Sequence, residues 1–590
     1  MPDLSARSPR SAALLLAVAL VAAGCSGSPA PPTPSAPPAA AAAPADKWPA
    51  FTARFIDEYL KSRPMFAVRK GRHELDGQMP DLSAAGIAAQ VARLKAWRAE
   101  AAAFDPAGLS EAERFERDYL LAQLDTDLFR LERARFPFTN PAWYVDELDP
   151  GVYLTREYAP LEKRLQGYLD YVRAVPRIAA DIRANLATPL PPTFVERGIQ
   201  AFGGFGDFYR HDVGKVFASV ADPQAQNDLA DANEAAARAM DELKGWLIEQ
   251  RQHATGSFAL GEPMFLEMLK ATERVDVPVA QLLAAGRADL ERNTQAPREA
   301  CAQYLPQGTL KACTEKMQAD KAAGGAVAGA RAQLDGLRAF VIAYRIVTVP
   351  SDEQARVAES PPYARSNSAY ISIPGPYDHN VAATYYIAPP DPSWSAAERA
   401  AYVPGKAWLL YASVHEVWPG HFLQFLHANR NPSKIAALFI GYGYAEGWAH
   451  YTEELMWEQG LGEGDAEQHI GQLSAALLRD VRFLSAIGLH TGAMTVAESE
   501  RMFREQAFQD PGTARQQAAR GTYDPEYLKY TLGKLMIRKP RTDWVAQQPQ
   551  APGADPRTYW QAFNDRFLSY GGPPIPMVRA AMLGNSSPVL

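Results

Sequence analysis

The run from Tyr411 to Tyr451, YASVHEVWPGHFLQFLHANRNPSKIAALFIGYGYAEGWAHY, holds four of the chain's ten histidines and limits the fold more than any other segment. Its apolar residues recur as they do in two buried helices. The first helical run ends at His415-Glu416, and the second, expected from Ile435 to Trp457, carries Glu446 and His450. Between the runs, Pro419 and Gly420 separate His415 from His421. In an unbroken helix, residues six apart lie about 240° round the axis and roughly 9 Å along it, so no single ion could touch both. Proline removes a backbone donor and clashes with the preceding turn, and glycine accepts backbone angles closed to other residues. The helix must therefore bulge or break, and a break can swing His421 back towards His415.

Neutral imidazole and carboxylate are zinc donors, and a catalytic zinc takes three protein ligands while keeping one position open for water. His415, His421 and Glu446 can supply the three, so a site for one zinc ion is expected. Glu416, adjacent to a ligand without being one, is the expected general base. A lone His-Glu pair is commonplace, and interior histidines more often pack through hydrogen bonds. It is the combination of two histidines bracketing a Pro-Gly break with a glutamate on the following helix that points to metal. His450 shares a helix face with Glu446, four residues earlier, and is a further candidate. Glu453 and Glu454 are expected to be solvated or to support the ligands from behind.

HEVWPGHFLQ (415–424) followed by YAEGWAHYTEEL (444–455) resembles the HExxPGHH and EGWALYxE pair of a bacterial lipoprotein family catalogued as domain of unknown function 885, placed among the zincin-like metallopeptidases. The similarity continues through RDVRFLSAIGLHTGAMT (479–495) and YLKYTLGKLMIRKPR (527–541), with weaker likeness from about residue 50 to the C-terminus. Two departures stand out. Phe422 replaces the family's second histidine, which leaves His421 as the ligand, and His450 replaces a leucine. The later segments bring in Tyr530 or His490 as the expected donor to an oxyanion, and Arg482 and Lys534 as expected substrate-binding groups. The resemblance implies a mainly α, zincin-like body with a deep cleft.

Residues 1–24 read as a lipoprotein signal peptide: Arg7 and Arg10 precede an apolar stretch from Leu14 to Ala23, and Ala22-Ala23-Gly24-Cys25 resembles a lipobox. Lipid on Cys25 is the expected membrane anchor, with Ser26 in the next position suiting the periplasmic face of an outer membrane. Residues 25–46, rich in Pro, Ala and Ser, read as a disordered tether. Of the chain's three cysteines, Cys301 and Cys313 then remain, in an oxidising compartment where a disulfide is preferred over two free thiols or a metal pair.

The folded body is expected from residue 47, as an N-terminal helical half (47–345) and a metal-bearing half (346–590) that are largely continuous. Amphipathic runs fill 84–104, 162–186, 228–252, 279–300 and 315–346, and Ser110 with Glu113 forms a capping box. Gly203 to Gly206 is expected at a tight helix junction. The exception to the helical pattern is 368–390, where Tyr370 to Ile373 and Ala383 to Ile387 read as a β-hairpin beside the metal helix. Such a sheet edge can receive a substrate backbone as an added strand, with Tyr385 and Tyr386 facing it, or it can simply cover the core.

A net charge of −7 gives no basic footprint for nucleic acid, and there is neither a Gly-rich phosphate loop nor a GxSxG elbow. The expectation is a zinc hydrolase, acting most readily on short peptides in the cell envelope. The alternatives are a catalytically silent peptide- or envelope-binding lipoprotein and a hydrolase of another amide, such as cell-wall peptides.

Overall fold

The helices form where the apolar period places them. The run expected at 84–104 is the helix Ala84–Ala103, started by Ser83, whose hydroxyl accepts from the Gly86 amide. Ser110 and Glu113 close a reciprocal capping box on Glu111–Leu128, which satisfies two amides that a helix start leaves unpaired. Leu161–Asn185, Pro223–Gln250 and Val279–Tyr304 fill three more of the expected runs. The last run differs: Leu310–Ala319 and Ala326–Ala343 are separate helices, divided at Gly324 and Gly325 with φ of 76° and 88°. Gly203 to Gly206 is no junction. It sits inside the helix Pro192–His211, where Gly203 meets Lys244 and Gly206 meets Asp241 of the neighbouring helix.

The computed structural model describes residues 47–590 apart from 362–364, 366, 367, 393, 550–552 and 554. Cys25 and the expected signal and tether segments lie outside the described residues. From residue 47 onward the described residues form one unit, mainly helical with one small sheet. No described helix is long and apolar enough to cross a membrane.

The sheet has three strands in the order β1-β3-β2, namely β1 (Arg356–Glu359), β2 (Ala369–Ser372) and β3 (Thr384–Ile387). β2 and β3 are the expected hairpin, paired antiparallel with Tyr370 opposite Tyr386. β1, unforeseen in the sequence, adds parallel to the other side of β3. This makes β3 the middle strand and leaves β2 at an edge.

Two apolar cores carry the fold. One gathers side chains from Trp48 to Leu247 together with Ile435 to Phe439, and the other holds Phe265 to Val341, the sheet and most of the chain from Leu409 onward. Cys301 and Cys313 are disulfide-bonded with Cα atoms 5.8 Å apart, joining the helices Val279–Tyr304 and Leu310–Ala319. Closing a loop of this length contributes about 3 kcal/mol in the chain-entropy picture.

Candidate functional site

His415 sits in the last turn of the helix Lys406–Glu416. The chain then turns sharply through a cis Trp418–Pro419 bond, and a new helix, His421–Asn429, begins at His421 itself. The turn folds back so tightly that a Cβ on Gly420 would lie 1.8 Å from the His415 carbonyl oxygen, so only glycine fits there. The Gly420 amide donates to Val414 O at 3.0 Å, and the Trp448 indole donates to Pro419 O at 2.9 Å. The Pro-Gly break thus brings the two imidazole rings to 4.8 Å, edge to face.

The helix Tyr442–Glu458 delivers Glu446. The expected run from Ile435 is interrupted before it, because the chain leaves the short helix Lys434–Leu438 and the Gly441 amide donates to Gly572 O at 2.8 Å. Glu446 Oε2 lies 3.3 Å from His415 Nε2 and 3.5 Å from His421 Nε2, buried and without a regular hydrogen bond. One ligand atom from each of the three residues falls within 4.8 Å of the others. Three donors converging on a point, with a buried carboxylate oxygen otherwise unmatched, is the arrangement that a divalent cation fits.

Carboxylates dominate the local electrostatics. Burial alone would raise the pKa of Glu446, but the two imidazoles overcome it and hold the carboxylate well below its ordinary value. Burial and Arg479 push His415 down, yet its carboxylate neighbours Glu446 and Glu453 prevail and hold it at about 9. Glu453, fully buried, accepts from His415 Nδ1 at 2.6 Å, a contact that directs Nε2 towards Glu446. Arg479 in turn pairs with Glu453 Oε1 at 3.0 Å. Glu453 is therefore not solvated; it orients His415. The sequence signal was its spacing, because seven residues beyond Glu446 is about two helical turns, hence the same face.

His450 does not join the three. It is fully buried, with Nδ1 3.4 Å from Glu453 Oε2, and burial together with Lys534 lowers its pKa to about 3, keeping it neutral.

A cavity of about 3170 Å³ opens onto the site, lined from Arg63 through Arg130 and Tyr370 to His415, Glu416 and Tyr530. Burial raises the Glu416 carboxyl, while His415 and His421 act against that rise. Tyr530 comes from the helix Lys529–Ala546, which meets the Glu446 helix backbone to backbone: a Cβ on Gly447 would lie 2.5 Å from Gly533 Cα. That close crossing brings the Tyr530 ring to 6.3 Å from that of His415. Arg482 also lines the cavity.

Other expected site residues are placed elsewhere. His490 is buried, its Nε2–H donating to Gly521 O at 2.8 Å and its Nδ1 accepting from the Leu260 amide at 3.4 Å, so neither nitrogen is free to meet an oxyanion. Lys534 is fully buried and ion-paired to Asp289 at 2.5 Å, away from the cavity wall. Tyr385 and Tyr386 are 0 % and 7 % exposed, because β3 is the middle strand, and neither lines the cavity. Tyr370, stacked on Tyr386 at 5.1 Å, lines it instead.

Replacing His490 by Gln should therefore leave zinc binding and turnover unchanged while altering acid stability. Burial holds its pKa at about 4, below the ordinary 6.5. Below pH 6.5 the unfolded chain takes up a proton that the folded chain refuses. Stability is thus lost as pH falls from 6.5 towards 4, by up to about 1.4 kcal/mol per pH unit. Thermal melts of the variant should show a smaller drop between pH 7 and pH 5 than the wild type, and a loss of turnover at pH 7.5 would return His490 to the chemistry.

On this mainly helical body His415, His421 and Glu446 converge beside a large cleft, whose wall includes His415 and its partner Glu453. The chain belongs to the family described as bacterial proteins of unknown function (DUF885), whose pattern matches residues 64–582. It is similar in fold to a candidate lipoprotein of unknown function from Shewanella oneidensis, with a TM-score of 0.74 and 23% identity, covering 91% of this chain and 100% of that one. A candidate lipoprotein from Colwellia psychrerythraea is similar at a TM-score of 0.74 and 18% identity, over 91% of this chain and 98% of that one. No curated protein matches the chain.

Proposed function

We propose that this protein is a zinc-dependent hydrolase that cleaves short peptides in the cell envelope, anchored by lipid on Cys25 at the periplasmic face of the outer membrane. The observation that carries the reading is the convergence of His415, His421 and Glu446, with His415 and the adjacent Glu416 lining the cavity. These residues would hold zinc, which when bound supplies Lewis acidity and a water of lowered pKa.

The chain's own groups supply the rest. Glu416 takes the proton of the attacking water and passes it to the leaving nitrogen, a role suited to a carboxyl whose pKa burial has raised. The Tyr530 hydroxyl donates to the oxygen on which charge builds, an interaction worth about 3 kcal/mol when well placed. Glu453 keeps the His415 ring in one tautomer and orientation.

The sheet edge supports an extended substrate. Ser368 O accepts from the Ala388 amide, so by the alternation of an antiparallel ladder Tyr370 and Ser372 turn their backbone groups to β3. Those of Ala369 and Ile371 turn outward, where a peptide can add as a strand. The Tyr385–Tyr386 strand cannot serve, being covered on both sides.

The test is a library of short peptides and cell-wall fragments, incubated with the zinc-loaded protein and analysed by mass spectrometry. Cleavage that a chelator abolishes and zinc restores is the expected result. Binding without cleavage across the library would overturn the hydrolase reading in favour of a binding lipoprotein, and cleavage confined to non-peptide amides would change the substrate.

A further inference from the structure

The cavity wall beside Tyr530 carries three arginines, and one differs from the others. Arg479 is paired with Glu453 at 3.0 Å and Arg520 with Asp524 at 2.9 Å. Arg482 has no carboxylate partner among the described residues. Its Nε donates to the amide oxygen of Gln517 at 2.8 Å, and its guanidinium carbon lies 5.1 Å from the centre of the Tyr530 ring. Burial and then the nearby charge of Arg520 push its pKa down. A half-buried cation held by one neutral amide and an aromatic face is an incomplete arrangement, since charges withdrawn from water are normally matched by an opposite charge. Arginine's planar fork also suits bidentate capture of a carboxylate.

The position of Arg482 specifies which carboxylate. Tyr530 neighbours both groups, its ring centre 6.3 Å from that of His415 and 5.1 Å from the Arg482 guanidinium carbon, so the two lie within roughly 11 Å of each other. In a peptide, the carbonyl carbon of the last amide bond and the terminal carboxylate carbon are joined through only the nitrogen and one Cα, a span of about 4 Å. A substrate whose final carbonyl is at the His415 site holds its free carboxylate about 4 Å further on, in the cavity that Arg482 also lines, while the residues before it have the outward edge of β2 to run along.

We infer that Arg482 receives the free α-carboxylate of the substrate, so that the protein removes single residues from the C-terminus of short peptides. This rests on the hydrolase reading, which it deepens by naming the end of the substrate that is recognised. Hydrolysis consumes one water and yields the shortened peptide and one free amino acid, with Glu416 carrying the proton from water to the leaving nitrogen. A carboxylate on the side chain of the residue just after the cleaved bond shares the same chemistry, and the probes separate the two sources.

Three N-acetylated tripeptides of matched sequence serve as probes: one with a free C-terminal carboxylate, one with a carboxamide, and one amidated but with an acidic side chain at the last residue. Binding is measured by calorimetry on metal-free protein, so that zinc cannot hold the anion, and hydrolysis is measured on zinc-loaded protein. The free acid should bind at least tenfold more tightly than the amide. Arg482→Gln should erase that preference, Arg482→Lys should keep part of it, and kcat/KM for the free acid should fall roughly 30- to 1000-fold in Arg482→Gln. Equal binding of acid and amide by the wild type overturns the inference without any variant, even if amides are hydrolysed. A preference for the amidated acidic probe over the free acid likewise overturns the α-carboxylate. Preferential acid binding without hydrolysis supports the role of Arg482 and removes the hydrolase reading instead.

Discussion

Glu416→Gln should lower turnover by roughly 10²–10⁴-fold and leave bound zinc and thermal stability at wild-type values. The substitution keeps the shape and the hydrogen-bonding capacity of the side chain and removes only its capacity to take a proton. The loss corresponds to about 3–5 kcal/mol of transition-state stabilisation. pH gives a second readout. Burial raises the pKa of Glu416 above its ordinary 4.5, and the base works only when ionised. In the wild type the rate should therefore show an acidic limb belonging to this carboxyl, and that limb should vanish in the variant. A variant that keeps wild-type turnover would transfer the proton step to another group.

The second large effect is loss of the metal, graded by distance from the site. His415→Ala and Glu446→Gln should abolish zinc binding, measured by elemental analysis after dialysis, because each removes one of three donors. Glu453→Gln should weaken affinity by 10- to 100-fold, since a carboxylate that orients a ligating histidine commonly contributes that much. His450→Leu, which restores the residue of the resembling family, should leave zinc in place, because His450 is neutral, buried and outside the group of three. Full zinc occupancy in both His415→Ala and Glu446→Gln would sink the ligand assignment, and loss in His450→Leu would make that histidine a ligand.

Where the local chain dictates geometry, the site is legible from residues alone. Pro419 followed by Gly420 disfavours a continuous helix, and the near-contact of Gly420 with the His415 carbonyl shows why the reversal takes glycine. Ser110 with Glu113 and Ser395 with Glu398 form the capping boxes that their spacing announces. Glu453 was within reach of the same reasoning, because a seven-residue spacing on a helix already fixes its face. Its partner could not be known without the fold, since His415 arrives from another helix.

Lys534 and Arg482 show where such reasoning ends. Both are cations on long helices within segments that match the family, and sequence gives them the same expected role. Lys534 lies under the helix crossing, where Asp289 claims it at 2.5 Å, whereas Arg482 reaches the cavity with only Gln517 for company. The apolar period fixes which residues share a face, but what that face meets depends on elements hundreds of residues away. The same holds for the tyrosines: pattern foretold a hairpin, yet the parallel addition of β1 buries Tyr385 and Tyr386 and leaves Tyr370 at the cavity. The sequence by itself determined most of the helices and the broken turn at Pro419-Gly420, and it singled out the three side chains that the fold brings together, because backbone sterics and helical periodicity act over a few residues. Only the tertiary structure decided the charge partners, the strand order and the occupants of the cleft wall, because pairing and burial are settled between segments whose meeting no local rule encodes.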